Sequence, residues 1–170
     1  MSQQEPVLFS EAQPLGRAHT RIVLAFPPGA LLFMTIRQVV FHKPWGSPPM
    51  ANGGLIFLTV LLTAVYFRLI TVKLVTQLRP HELSVAMRGF WKRRRIPVSE
   101  IRSAELATYD AMSEFGGYGI RSGRRGTAYI ARGNQAVELT LNDGNKVLLG
   151  SRKAEELLVK IEQARQRFAA

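Results

Sequence analysis

A chain of 170 residues with 23 Lys plus Arg against 12 Asp plus Glu carries a net charge of +11. That length holds one domain of ordinary size plus a membrane anchor, and the basic surplus points to nucleic acid, an anionic membrane or the charge bias of a membrane protein. The absence of cysteine excludes disulfides, haem-attachment motifs and thiolate metal sites.

Residues 1–20 are polar, and Pro6, Pro14 and Gly16 break any period, so this stretch reads as a flexible cytoplasmic tail. Arg17 and Arg21 then precede Ile22 to Ile36, which carries no charge. Extended through Arg37 and Gln38 to Phe41, the run reaches span length, with the Arg37 stem long enough to snorkel to the interface. Pro27, Pro28 and Gly29 predict a kink or late start. A cleaved signal peptide fits poorly, because Gln-Val-Val-Phe-His-Lys offers no small-x-small site.

Residues 42–52 hold three prolines and a glycine and read as a tight link, with Phe41 and Trp45 suited to an interfacial aromatic belt. From Gly53 to Val72 a second apolar run carries one charge, Arg68. About 20 helical residues cover the roughly 30 Å of a bilayer's hydrocarbon core. Both runs are apolar all round, and the remaining hundred or so residues are too few to cover them as core helices of a soluble protein. The reading is therefore a transmembrane hairpin over 21–72, with spans at 22–41 and 53–72. Gly53 and Gly54 permit close approach at the outer ends, and Tyr66, Phe67 and Arg68 mark the inner interface. Basic flanks before the first run and after the second place both termini in the cytoplasm.

Beyond Thr71 the texture changes to short β-like runs. Val72 to Leu78 and Leu83 to Arg88 are separated by Arg-Pro-His-Glu, a hairpin-length link, and further runs follow at Lys92 to Val98 and Ile101 to Tyr109. Thr127 to Arg132 turns at Gly133-Asn134 into Gln135 to Leu141, where Val137, Leu139 and Leu141 alternate with polar residues. Asn142-Asp143-Gly144-Asn145 is a hairpin turn leading to Val147 to Leu149. Ser151 caps a closing helix with Glu155 and Glu156 in its first turn and Ala154, Leu157, Leu158, Ile161 and Phe168 on one stripe. Six or seven antiparallel strands and a terminal amphipathic helix over 73–170 suggest a small curved sheet or partly open barrel.

This order, together with Gln38 to Asn52, Glu114 to Arg121 (Glu-Phe-Gly-Gly-Tyr-Gly-Ile-Arg) and the hairpins from Gly133-Asn134 to Gly150, resembles two-pass bacterial membrane proteins carrying a pleckstrin-homology-like (PH-like) domain. The resemblance implies an inner-membrane location and a β-rich fold, and it brings no activity. Eukaryotic members of that fold often bind phosphoinositides or peptides, which is analogy at the level of fold.

Two segments are candidates for function. In Arg88-Gly89-Phe90-Trp91-Lys92-Arg93-Arg94-Arg95, two aromatics beside four consecutive cations suit a membrane-facing tip, with each cation worth about 1 kcal/mol near an anionic leaflet. The other reading is a solvated edge whose cations discourage strand pairing. Nucleic acid is disfavoured by the membrane location. The second segment, 110–126, is long for a loop in a compact domain; it carries Glu114, Tyr118, Arg121, Arg124 and Arg125, with glycines that bring backbone amides to an anion. Its other reading is a structural turn in which Phe115 and Tyr118 pack. It has neither a dinucleotide fingerprint nor a P-loop ending.

His19, His42 and His81 are scattered and give no metal spacing, and no cofactor motif is present. Neither apolar run contains a carboxylate, which argues against an ion pathway, and no nucleophile elbow occurs. The expectation is a non-catalytic, membrane-anchored binding or scaffolding module contacting a protein partner or an anionic lipid surface. The alternatives are an accessory subunit of a membrane complex, and a membrane-bound enzyme acting on a phosphorylated or lipid substrate through 110–126.

Overall fold

A computed structural model describes residues 6–16, 18–89, 93–123 and 125–169. The chain divides into a helical unit, Gly16–Thr71, and a β-rich unit built from the chain on both sides of it, up to Leu15 and from Val72.

In the helical unit, α1 (Ala18–Val39) and α2 (Asn52–Ile70) are joined by the proline-rich link. Of the kink or late start expected of the first helix, the late start is not seen: α1 begins at Ala18 and runs through Pro27 and Pro28. The helices meet through a hydroxyl pair, Thr35 Oγ1 to Thr59 Oγ1 at 2.7 Å, and each hydroxyl also reaches a carbonyl one turn earlier in its own helix. Their link is held by Gln38, whose amide donates to the Met50 carbonyl and to Asn52 Oδ1, while the Arg37 guanidinium stands 5.4 Å from the Trp45 ring centre. Both helices are long and apolar enough to cross a membrane, with only 6% and 11% of their apolar windows buried. Core helices of a soluble protein would be mostly covered.

The β-rich unit corrects the reading of the N-terminal tail. Phe9–Pro14 is a strand, β1, paired antiparallel with β2 (Lys73–Leu78) from Phe9↔Leu78 to Pro14↔Lys73. Its inward side carries Phe9, Glu11 and Gln13, only one of them apolar, so no hydrophobic period announces it. Its partners supply what the period lacks: the Gln13 amide donates to the Gly150 carbonyl, and Glu11 accepts from Ser151 Oγ at 2.6 Å and from the Arg152 N–H. The Leu15 N–H donates to the Val72 carbonyl, so the ladder continues to the point where the helical unit begins. The helix pair is thus inserted into a β-hairpin.

Two sheets follow from the pairing. One is β1-β2-β3-β4, with β3 at Glu82–Arg88 and β4 at Arg94–Pro97, antiparallel throughout. The other runs β5-β8-β9-β7-β6, with β5 Ile101–Thr108, β6 Gly119–Gly123, β7 Gly126–Ile130, β8 Gln135–Leu141 and β9 Lys146–Gly150. Among the described residues, 73–170 holds eight strands against the six or seven expected, β1 makes a ninth from outside that span, and β7 pairs parallel to β9. The main core joins both sheets to α3 (Ala154–Ala169) through Leu74, Val85, Ile96, Leu139, Leu149, Leu157 and Ile161. Ser151 Oγ accepts from the Lys153 N–H at the start of α3, as its capping role requires, while the side chain of Phe168 lies outside the described residues. A second, smaller core lies on the other face of the five-stranded sheet. It contains Tyr109, Ala111, Phe115, Ala128, Ile130, Ala136 and Leu148.

Candidate functional site

The 110–126 segment is two pieces rather than one loop. In the first, Asp110 Oδ1 accepts from the Met112 and Ser113 N–H groups, and Glu114 Oε1 reaches back to the Asp110 N–H at 2.8 Å. This closes a helical turn of the capping type. Gly116 and Gly117, at φ +67° and +125°, then reverse the chain. The turn delivers Phe115 onto Tyr109, edge to face at 6.5 Å, and so roofs the second core. In the second piece, Gly119–Gly123 and Gly126–Ile130 form the β6–β7 hairpin. The glycines therefore serve turns and a hairpin. Arg124 lies outside the described residues.

Arg125 ties these pieces together. Its Nε and Nη2 donate to Glu138 Oε2 at 3.0 and 2.7 Å, and its Nη1 donates to Glu114 Oε2 and the Thr108 carbonyl, both at 3.0 Å. Lys146 Nζ takes the other Glu138 oxygen at 2.8 Å. Burial pushes the Glu138 carboxyl up, but the hydrogen bonds from Lys146 and Arg125 outweigh it and the net direction is down. The Asp110 N–H, and then Arg125, hold Glu114 below the usual carboxylate range. Two carboxylates, one guanidinium and one ammonium balance, so the cluster has no surplus charge to draw an anion. Beside it opens a cleft of about 660 Å³ lined by Ser113, Glu114, Phe115, Gly123 and Arg125.

The structure does not gather the other residues of this segment around that cleft. Tyr118 is half-buried against the second core, and Arg121 is exposed, its guanidinium lying beside Gly117 and Gly119. Among the described residues, no hydrogen bond or ion pair joins Glu114, Tyr118 and Arg121. No three His, Asp or Glu side chains among the described residues come together as metal ligands.

The basic segment is divided by strand alternation. Phe90, Trp91 and Lys92 lie outside the described residues. Arg95 pairs with Ser84 on the outer face of the four-stranded sheet and stands 3.8 Å from Glu82. Arg94, one residue away, is half-buried and attracts Asp143, a carboxylate held down first by hydrogen bonds from Asn145. Arg93 is exposed and lines a groove of about 210 Å³ on that outer face, with Val75, Gln77, Ser84, Ala86 and Arg88. Register adds a residue that pattern reading missed: Lys73 sits directly opposite Arg88. The signal that would have found it is the β2–β3 pairing, since counting back from the Arg-Pro-His-Glu turn brings the two cations together.

Compared with known proteins, the chain matches no family model and no curated relative.

Proposed function

We propose that this chain is a two-span protein of a bacterial inner membrane whose PH-like domain is a non-catalytic binding or scaffolding module, with both termini cytoplasmic. The observation that carries this reading is the insertion of the helix pair between β1 and β2. Two paired strands belong to one folded unit, so a chain that leaves through α1 and returns through α2 must cross the bilayer an even number of times. A cleaved α1 would take β1 with it. Arg17, Arg21 and the basic β-rich unit orient that side toward the cytoplasm. The PH-like assignment is supported by the sequence of sheets followed by a C-terminal helix packed on their common core.

The binding reading is favoured over an enzymatic one because the groups beside the 660 Å³ cleft already satisfy one another. An accessory-subunit role draws support from the open apolar faces of α1 and α2, which suit lipid or neighbouring helices equally.

The chain lacks cysteine, so single thiols report its topology. Ser47→Cys in the link should react with an impermeant maleimide on intact cells, and Lys153→Cys only after permeabilisation. The chain should also stay in the membrane pellet at alkaline pH. Release from the pellet, or labelling of Lys153→Cys on intact cells, would overturn the reading.

A further inference from the structure

We propose that the outer face of the four-stranded sheet binds the phosphate of an anionic glycerolipid headgroup through Lys73, Arg88 and Arg93. The inference rests on the two-span reading above and assigns the domain a ligand and a place to hold it.

Three observations meet at this face. The first is electrostatic. Lys73 and Arg88 occupy directly opposed register positions, and Arg93 lines the groove beside Arg88. Among the described residues, none of the three is ion-paired; the nearest carboxylate on this face, Glu82, stands with Arg95 at the far end of the strand. Like charges placed opposite one another weaken a sheet, and an anion between them reverses the sign of that interaction.

The second is shape. The strands carry Val75, Ser84 and Ala86 where larger side chains would fill the surface, leaving a groove of about 210 Å³. Gln77 and the Ser84 hydroxyl line the end away from Lys73 and Arg88, where they suit the hydroxyls of a polyol head. A choline or ethanolamine head carries its own cation, which three basic side chains repel.

The third is covalent. Lys73 follows the last residue of α2, Ile70, by three positions, a reach of at most about 11 Å. That upper bound lies between one and two Debye lengths at physiological ionic strength, about 8 Å each, so the attraction of an anionic leaflet for this cluster is weakened but not abolished. Pro14, the β1 partner of Lys73, leads into α1 after a similarly short stretch. The cationic end of the sheet is therefore the end tied by the chain to both spans.

The test uses the full chain in lipid nanodiscs, with Ala86→Cys as a single thiol on the groove floor. Replacing phosphatidylcholine with about one third phosphatidylglycerol should slow its reaction with a water-soluble maleimide about fivefold or more, as occupancy competes with labelling. Adding Lys73→Gln, Arg88→Gln and Arg93→Gln should restore the rate, while Met112→Cys, on the exposed turn, should ignore lipid composition. Equal rates at Ala86→Cys in both lipids would overturn the proposal, as would equal slowing by inorganic phosphate in phosphatidylcholine discs, which would mark a soluble anion as ligand. A chain that enters both kinds of disc but shows equal rates keeps its spans and loses this site; a chain that enters neither loses both readings. Should Ala86→Cys not fold, native mass spectrometry of the unmodified chain should retain phosphatidylglycerol over phosphatidylcholine, and the triple Gln variant should lose that preference. No preference in the unmodified chain would again overturn the proposal.

Discussion

Single residues decide the second core. Gly126 opens β7 at φ +89°, and a Cβ there would fall well inside contact with the Lys146 carbonyl of the neighbouring strand. Neither the φ angle nor a backbone carbonyl yields cheaply, so Gly126→Ala should lower unfolding free energy on the order of 2–4 kcal/mol in denaturant titrations. A stability equal to the parent would show that β7 and β9 are not in close parallel contact. Tyr109 tests the same core through pH. Its hydroxyl donates to the Arg132 carbonyl, and burial, followed by the nearby Tyr118, pushes its pKa up to about 12. A group whose folded pKa lies above its unfolded value contributes stability that is present below the unfolded value and lost as pH rises toward the folded one. Stability should therefore decline between about pH 10 and 12, and Tyr109→Phe should flatten that limb of the profile. An unchanged limb in the variant would place the titration elsewhere.

At the scale of elements, β1 is the strand whose contribution is easiest to underestimate. It buries Phe9, covers the edge of β2 and supplies the Glu11 carboxylate at the start of α3. Phe9→Ala alone should cost on the order of 3 kcal/mol, and removal of residues 1–14 should make β2 and α3 sensitive to protease in otherwise intact protein. A dispensable tail would give no change in either measurement. The Arg125–Glu138–Lys146 cluster fastens β8 and β9 to the turn that precedes β6. Because Glu138 and Glu114 are held below their ordinary range, their contribution is present above it and lost as the pH falls below about 4. Glu138→Gln should weaken that acid limb; these groups are partly exposed, so the effect should be modest and reduced by salt.

For the whole molecule, the insertion of the helical unit into a hairpin makes a separable β domain an expected outcome. The Leu15–Val72 hydrogen bond already aligns the strands where the helices leave. Replacing residues 16–71 with Asn-Gly should close β1 onto β2 through a tight turn and yield a folded protein that is monodisperse without detergent. A fragment beginning at Thr71 lacks β1 and should melt at lower temperature than the closed version. Equal melting temperatures for the two would remove β1 from the folding unit. The insertion also makes the domain's first pairing non-local, Phe9 with Leu78, so its sheet is completed only after both helices have been synthesised.

Local chemistry made several elements readable without coordinates. The two apolar runs, the Asn142–Asn145 hairpin, the β2–β3 hairpin and the capped terminal helix each announce themselves within a few residues, because span length, turn chemistry and side-chain period are local properties. What the sequence alone determined is therefore a pair of helices fit for lipid joined to a β-rich, basic unit. Tertiary structure decided the rest: that Phe9–Pro14 is a strand, that Asp110–Tyr118 roofs a second core, that Arg94 and Arg95 part company, and that Lys73 faces Arg88. Each of these depends on a partner far away in the chain, and a residue's own neighbours carry no record of which strand will lie beside it.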